Sequence, residues 1–579
     1  MQKKIWLCDD EVSKRFPVYT RANAGEVFAV AVSPLTWTTF GRLAWEIGFR
    51  EALYDMGVFT PDEFSPAGEC EVLGCFGGYI YLNVSVTRLI GVRIPGMTAE
   101  AIDASFFGDN TAAPPYRPDP RDENAECSAK VSAWLGSLPE SDPKAATDAY
   151  RLHIDSLVSN RPDFAKLSDA ALLDYFRSLT SESQRLMRRH ILNTHGSNVL
   201  TGMIAQICQA VGADEFLAKV TAGVGEVDSA GQSFDLWELS RQVKSSPDVT
   251  AAFDQGVDGL LDRLRASVDR EASRFLEQWD VFIDHWGFLG PDVWEFRSPT
   301  YRTNPEMVLR MLNRTRLAPD SAAPKARAAT LIAEREAAIT EIATRLAGDA
   351  AAQAQFTGAA RAAGNYLAAR ERSKVINTRL NDEARSAIRE LGQRLVKRGL
   401  LSKWADVLMV TNDEADDFVA NPAAYTGLIA DRTALLEVLM SKEPPFVFEA
   451  EPPPLSMFKN RTTGNAGGTK MTRSARLSGA GVSPGRHTGR ARVVASLAAD
   501  SKLEPGEVIV AVTTDSTWGA LFLMAGAVVV ETGSTISHAA IVSRELGIPA
   551  VVSVRNATQQ IMDGDTVTVD GNVGTVTVE

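Results

Sequence analysis

One histidine stands in the run GSTISHAAIVSRELGIP, residues 533–549, among small side chains and hydroxyls. The preceding run GAVVVETG, residues 526–533, is apolar like a buried strand, so His538 falls at or near the first turn of the next helix. The amides of a helix N-terminus favour an anion, and a neutral imidazole is a good nucleophile toward phosphorus. These features alone leave two interpretations open, a histidine that merely caps a helix and a histidine that carries a phosphoryl group.

Hydroxyls and a cation accompany this histidine along the chain. Thr535 and Ser537 offer short hydroxyls, and Arg544 adds a positive charge in the same helix. Ala539 and Ala540 keep the surface flush, so the histidine can enter the cleft of another domain. We therefore expect Thr535, Ser537 and Arg544 to bind the phosphoryl group.

A second group of residues that could take part in catalysis lies in the run ARERSK, residues 369–374. Arg370 and Lys374 are four residues apart on a predicted helix, so their side chains share one face. Two adjacent cations neutralise a phosphoryl group in transit, and Glu371 can accept the proton of an attacking hydroxyl. A solvated helix with ordinary charge pairs is the alternative that this pattern alone leaves open.

Three further residues are weaker candidates for contacts with an acceptor molecule. His285 and Glu295 lie in HWGFLGPDVWEF, residues 285–296, and either of them can be structural. Trp37 can line an aromatic pocket, although core packing is the usual role of tryptophan. We expect these three residues to bind the substrate and expect no metal site.

Composition narrows the classes of function. The chain has 579 residues, which is too long for one core, and a formal net charge of −13, which argues against a nucleic-acid partner. It has neither an apolar run of membrane-spanning length nor an ordinary signal peptide. The five cysteines show no zinc-ligand spacing and suit a reduced, cytoplasmic protein.

The hydrophobic period changes along the chain. Strand-like runs near the N-terminus give way to helical patterns up to about residue 450, and DEARSAIRELGQRLVKRG predicts a helix that ends before Gly399. Residues 451–476 are rich in Pro, Gly and Thr and are interpreted as a flexible interdomain linker. Short apolar strands around one helix follow in residues 477–579. We therefore predict a multidomain α+β protein, with a mostly helical substrate domain at 1–450 and a small α/β domain at 477–579.

The run GSTISHAAIVSRELGIPAVV resembles the phosphohistidine, or swivelling, domain of the phosphoenolpyruvate-utilising enzymes. The match is close from Ser537 to Val552, while Ser534 and Ile536 depart from the family pattern of glycine and threonine. The resemblance covers about 100 residues and implies that His538 is the residue that is phosphorylated. It also implies a domain that swings between two sites.

The larger part resembles the substrate domain of rifampin phosphotransferases and of phenol- or alkylphenol-phosphorylating synthases. The resemblance rests on SPLTWTTF, on HWGFLGPDVWEFRSPTYRTNPEM and on the ARERSK helix with the segment after it. It implies functional roles for Arg370, Glu371 and Lys374. Phe288 and Leu289 replace the histidine and arginine of the family run, which suggests a more apolar pocket.

Two parts that occur in relatives are not recognised in this sequence. Phosphoenolpyruvate-forming members place a barrel after the histidine domain, so we expect an acceptor other than pyruvate. Rifampin phosphotransferases begin with an ATP-binding region of the ATP-grasp type, and no G-x-x-x-x-G-K-[ST] phosphate loop occurs here. We therefore expect a separate ATP-binding subunit, with ATP and Mg²⁺ as its cofactors.

The sequence thus predicts one subunit of a two-component, ATP-dependent dikinase-type phosphotransferase. It would carry a phosphoryl group on His538 to an acceptor hydroxyl, with a phenol or alkylphenol as the favoured acceptor. A rifamycin or another antibiotic is the first alternative acceptor. The second alternative is a regulatory phosphocarrier that passes its phosphoryl group to a protein.

Overall fold

The computed structural model describes residues 4–66, 69–107, 113–225, 228–461, 475–494, 503–514, 518–533 and 537–579. Its contacts group the chain into two compact units, each built from three separate segments. The first unit comprises Met1–Val199, Asp292–Ser298 and Ser373–Arg461. The second comprises Leu200–Pro291, Pro299–Arg372 and Thr462–Glu579.

The first unit is mainly helical around a small sheet. Its sheet has the strand order Leu73–Phe76, Tyr79–Asn83, Val18–Thr20, Val447–Glu449, and all neighbours are antiparallel. A second strand pair joins Lys442–Glu443 to Lys459–Asn460. Its α-helices are Ala24–Val27, Glu46–Asp55, Val84–Arg93, Ala99–Phe107, Ala125–Ser137, Pro143–Ser159, Asp169–Ser178, Ala415–Ala420 and Thr426–Met440, together with a π-helix at Thr36–Trp45. Short 3₁₀ turns occur at Pro61–Glu63, Leu138–Glu140, Phe164–Lys166, Trp404–Met409, Pro422–Tyr425 and Leu455–Met457.

Two long helices contribute residues to both units. Thr180–Ala210 crosses from the first unit to the second, and Ala350–Lys397 crosses from the second back to the first. The latter is rich in alanine and arginine, which are strong helix formers. It ends before Gly399, whose φ of 71° suits glycine, and this confirms the predicted helix end.

Helices also form the larger part of the second unit. They are Leu217–Val220, Asp228–Ser245, Pro247–Asp254, Leu260–Ala266, Arg270–Trp286, Glu306–Thr315, Pro324–Arg345, Gly519–Phe522, His538–Leu546 and Ala557–Gln560, with 3₁₀ turns at Asp214–Phe216 and Asp320–Ala322. Some of them begin with a side-chain cap, as where the Asp269 carboxylate accepts the N–H of Ala272.

An eight-stranded mixed sheet completes the second unit. Its order is Ala475–Ser478, Thr575–Val578, Thr566–Asp570, Arg486–Val493, Val508–Ala511, Ala527–Val530, Ala550–Val552 and Ala480–Ser483. The four strands from Arg486–Val493 to Ala550–Val552 are parallel, and the others are antiparallel. Side chains alternate between two buried faces, as with Val528 and Val529. The fold is therefore the predicted multidomain α+β type, with a small sheet domain near its C-terminus.

Aromatic side chains pack this sheet domain against helices of the same unit. Trp237 from the helix Asp228–Ser245 shares a buried cluster with Trp518, Phe522 and Met524. Trp237 is only 4% exposed, so the contact excludes water over a large apolar area.

The predicted linker at 451–476 is described only in its first part. Phe458 lies in the core of the first unit, and Lys459–Asn460 pairs with Lys442–Glu443. Residues 458–460 thus contact the first unit, while 462–474 lie outside the described residues, so a flexible linker stays a prediction. The domain limits 1–450 and 477–579 also stay a prediction.

A membrane-spanning segment was not expected from the sequence. Within the described ranges, no helix combines the length and the apolar character that crossing a bilayer requires.

Candidate active site

His538 is the first residue of the helix His538–Leu546. This helix connects the parallel strands Ala527–Val530 and Ala550–Val552, so it begins at the carboxyl edge of those strands. Ligands of open α/β sheets bind at that edge. The helical position predicted for His538 is confirmed.

Local signals define both ends of this helix. Ser537 is the N-cap, and its Oγ accepts the N–H of Ala540 at 3.4 Å. Gly547 closes the helix in the left-handed conformation, with φ 63° and ψ 37°. The cap uses the Ser537 hydroxyl, which was predicted to bind the phosphoryl group.

The imidazole of His538 is 7% exposed and lies beside an aromatic wall. The Phe522 ring centroid is 6.1 Å from the imidazole centroid, at an interplanar angle of 78°. An edge-to-face contact of this kind orients a ring without taking up a nitrogen. It limits how the imidazole can turn at the helix end.

The side chain of Arg544 contacts a backbone carbonyl and lies near other charged groups of the second unit. Its Nε donates to the carbonyl of Val482 at 2.6 Å. Burial lowers the pKa of Arg544 to about 10, nearby Glu545 opposes this shift, and the positive charge of Arg370 adds to it. Arg544 and Arg370 therefore lie close enough to repel each other, an arrangement that an anion would stabilise.

Glu545 is an acidic residue beside Arg544 on the same helix. Its Oε1 accepts the N–H of Val224 at 3.5 Å. Burial raises the pKa of Glu545 to about 7, the Val224 amide, Arg544 and Arg335 counteract the rise, and Glu371 adds to it. Two carboxyl groups thus share the neighbourhood of two arginines.

Arg370 and Glu371 project from the helix Ala350–Lys397. Their side chains are 13% and 4% exposed, and 3.6 Å separates Arg370 Nη1 from Glu371 Oε1. The next residue, Arg372, pairs with Asp228 at 3.3 Å and so fixes this stretch to the helix Asp228–Ser245. Buried charges held in this way are pre-organised for an ionic ligand.

In the second unit, Arg544 and Glu545 from the last turn of the His538 helix therefore lie near Arg370 and Glu371. Arginines here can neutralise a phosphoryl group, and a carboxylate can take a proton from a hydroxyl. Across the described ranges, no three His, Cys, Asp or Glu side chains form a group suited to a metal ion.

Other predicted residues lie elsewhere. Lys374 is one turn after Arg370 on the same helix but belongs to the first unit, as do Trp37 and Glu295. His285 is exposed in the last turn of the helix Arg270–Trp286, 4.5 Å from the Trp286 ring centroid. Thr535 lies outside the described residues, as do Ser534 and Ile536.

Trp37 and Glu295 have internal partners in the first unit. Trp37 is fully buried, and its Nε1 donates to Asp10 Oδ2 at 3.0 Å. The Glu295 carboxylate accepts the N–H and the hydroxyl of Ser33, each at 2.8 Å, and the N–H of Arg297 at 3.0 Å. Both side chains therefore join the SPLTW run to its surroundings, and their acceptor contacts stay a prediction.

Sequence reasoning missed Glu545, Arg335 and Phe522. Glu545 adjoins Arg544 in the RELG run, a signal that could have been used. Nothing in the sequence around Arg335 or Phe522 marks either residue, because their relation to the site arises from packing between distant segments.

Two segments match known families. Residues 190–371 match the fourth domain of rifampicin phosphotransferase, and residues 503–574 match the mobile domain of PEP-utilising enzymes. The mobile-domain match includes His538, and the other match includes Arg370 and Glu371. In these segments the chain is similar to PEP-utilising enzymes and resembles rifampicin phosphotransferase, as the sequence motifs implied.

Curated relatives extend the similarity to nearly the whole chain. An uncharacterised protein of Mycobacterium tuberculosis is 28% identical, and a rifampicin phosphotransferase of a Streptomyces species is 26% identical. Each alignment covers 98% of this chain and 62% of the relative. A prodigiosin synthesizing transferase of Serratia marcescens is 38% identical over 197 residues, which are 33% of this chain and 21% of that protein. The chain thus spans about three fifths of the length of the first two relatives.

Proposed function

We propose that this chain is the carrier and acceptor-binding subunit of an ATP-dependent dikinase-type phosphotransferase. The observation that carries the proposal is the cluster of charges in the second unit, where Arg544 and Glu545 on the His538 helix lie near Arg370 and Glu371 respectively. A phosphorylated histidine needs this combination of cations and a base near an acceptor hydroxyl.

The proposed transfer uses residues of this chain. The acceptor oxygen forms a bond to phosphorus, and the P–N bond breaks as its electron pair returns to the imidazole of His538. Glu371 takes the hydroxyl proton, and Arg370 and Lys374 neutralise charge on the phosphoryl oxygens. His285, Glu295 and Trp37 are proposed to contact the acceptor, and Thr535 to bind the phosphoryl group.

We assign the nucleotide to a separate ATP-binding subunit, which supplies the phosphoryl group from ATP with Mg²⁺ as its metal ion. The five cysteines are free and buried, which suits a reducing compartment and supports a cytoplasmic setting.

The favoured acceptor is a phenol or alkylphenol. A rifamycin is the second candidate, and the similarity to the Streptomyces rifampicin phosphotransferase over 98% of this chain favours it. Assays of phenols and rifamycins for ATP-dependent phosphorylation separate the two. Transfer only to a protein would instead support the regulatory phosphocarrier.

The first test labels the full chain with [β-³²P]ATP or [γ-³²P]ATP, with and without a candidate ATP-binding subunit. We expect acid-labile label from the β position that requires the subunit and disappears in His538→Ala. His153→Ala changes an exposed histidine of the first unit and should keep the label. Label that persists in His538→Ala would refute the carrier role.

The second test separates loading from transfer. Arg370→Ala and Lys374→Ala should leave the label on His538 and slow transfer to the acceptor about a hundredfold, because one electrostatic donor is lost. Arg361→Ala, which changes an exposed arginine on the same helix, should transfer normally. Unchanged transfer in both site variants would overturn the role given to these cations.

A further inference from the structure

A cleft of about 400 Å³ lies in the second unit, between the sheet domain and the helical part. Arg327 lines it from the helical part, and Arg486 and His487 line it from the sheet domain. A volume of this size accommodates a small organic molecule.

The cleft lies at the opposite edge of the sheet from His538. Gly506 and Gly526 line it just before the strands Val508–Ala511 and Ala527–Val530, and Ile548 lines it after the His538 helix. It therefore lies at the amino edge of these strands, whereas His538 lies at their carboxyl edge. A helix of nine residues, about 13 Å long, separates the two positions.

Positive charge in the cleft lacks a carboxylate partner. Arg486 makes no side-chain hydrogen bond or ion pair with any part of the chain that the structure describes. Arg327 Nη1 donates to the carbonyl of Leu546 at 3.4 Å, and among the described residues no carboxylate pairs with it. None of the lining residues is acidic, although the chain carries a net charge of −13. Two guanidinium groups left without acids at one cleft favour an anion.

His487 adds a fixed polar group. Its Nε2 donates to the carbonyl of Gly506 at 2.8 Å, so the ring is held and Nδ1 is the nitrogen left to meet a ligand. Leu523, Met524 and Ile548 supply apolar surface beside these groups. The lining thus combines a cationic end with an apolar wall.

We propose that this cleft binds a phosphomonoester dianion with an organic group. Guanidinium groups match phosphate oxygens in charge and in geometry, and the apolar wall suits the organic part. AMP and an aryl phosphate share this chemistry. The site goes beyond the proposed transfer at His538 and does not depend on it.

A bound ligand would contact the helical part through Arg327 and the sheet domain through Arg486. A ligand that binds only when the helical part and the sheet domain are packed together stabilises this packing by mass action. The site would therefore couple phosphomonoester concentration to the stability of the second unit.

The test measures binding of phenyl phosphate, AMP, inorganic phosphate and benzoate to the full chain by titration calorimetry, together with the thermal midpoint. We expect saturable binding of phenyl phosphate or of AMP, whichever is the ligand, and a higher midpoint of thermal unfolding when it is bound. Inorganic phosphate and benzoate should bind more weakly. Arg327→Ala and Arg486→Ala should each weaken it about tenfold, the effect of losing one charged hydrogen bond. Arg490→Ala removes an exposed arginine of the same strand that does not line the cleft, and should bind normally.

His538→Ala and Arg370→Ala separate the cleft from the transfer site, since both should bind the phosphomonoester normally. Loss of binding in Arg370→Ala with normal binding in Arg327→Ala and Arg486→Ala would assign the anion to the transfer site and overturn the proposal. Absence of saturable binding, or equal binding of benzoate, would overturn it as well. Neither result would alter the labelling of His538, so the proposed function is tested independently.

Discussion

The pKa of Glu545, on the His538 helix, depends on residues from other segments that pack against this helix. Burial raises the pKa of Glu545 from 4.5 to about 7, so its carboxyl is largely protonated in the folded chain at pH values where the unfolded chain has it ionised. The folded state therefore binds more protons between these values. Stability from this group is full below pH 4.5, falls as pH rises toward 7, and levels off above that.

Glu545→Gln should remove this loss, because a neutral amide keeps an oxygen for the Val224 N–H. We expect the variant to gain stability over the native chain between pH 5 and pH 8, on the order of 3 kcal/mol at the upper end. Urea unfolding at both pH values measures it. Glu334→Gln, a change of an exposed glutamate, is the control, and equal pH dependence of native chain and Glu545→Gln would contradict the assignment.

Glu295 can either stabilise the interior of the first unit or contact the acceptor, as predicted from the sequence. Its carboxylate accepts three hydrogen bonds in the interior of the first unit. Glu295→Ala should destabilise that unit by about 2–4 kcal/mol, because the partner groups of Ser33 and Arg297 lose their acceptor. Thermal unfolding checks this, and a raised KM for the acceptor with unchanged stability would support the predicted substrate contact instead.

At the scale of elements, the helix Asp228–Ser245 holds the sheet domain through Trp237. This indole packs in the cluster with Trp518 and Phe522, and the Arg241 guanidinium lies 4.1 Å from its ring centroid. Packing of this kind stabilises through apolar area and close contact rather than through any one polar bond. It also fixes the helix from which Asp228 pairs with Arg372.

Trp237→Ala should lower the free energy of unfolding of the second unit by about 3–5 kcal/mol, since a large cavity replaces the indole. Trp237→Phe keeps much of the apolar contact and should cost less. Chemical denaturation of the three proteins provides the comparison. Equal stability of the alanine variant and the native chain would show that the cluster does not depend on Trp237.

At the scale of the whole molecule, each unit is assembled from three separate stretches of chain. All segments of the first unit precede residue 462, whereas the second unit combines Leu200–Pro291 and Pro299–Arg372 with Thr462–Glu579. The core around Trp237 is therefore completed only by residues near the C-terminus.

A chain ending at residue 461 should expose apolar helix surface around Phe234, Trp237 and Ala318, which the sheet domain otherwise covers. We expect a several-fold rise in the fluorescence of an added apolar dye such as ANS, while the first unit still unfolds cooperatively. Full-length His538→Ala should show no rise. Unchanged dye fluorescence on truncation would mean that the helices cover this surface themselves.

Local signals in the sequence were sufficient for a helix that begins near His538 and for the end of Ala350–Lys397 before Gly399. Such features depend on residues within one or two turns, so a single stretch of sequence determines them. The ARERSK run resembles part of a phosphotransfer site, and that role stays a prediction. The fold class followed from the change of hydrophobic period.

Only the tertiary structure decided which of those pieces meet. Glu371 raises the pKa of Glu545, and Arg370 lowers that of Arg544, because packing in the second unit brings together segments far apart in sequence. The same packing occupies Trp37 and Glu295 with internal partners. Hydrophobic period and local spacing carry no information about such long-range contacts, which depend on how buried surfaces fit together.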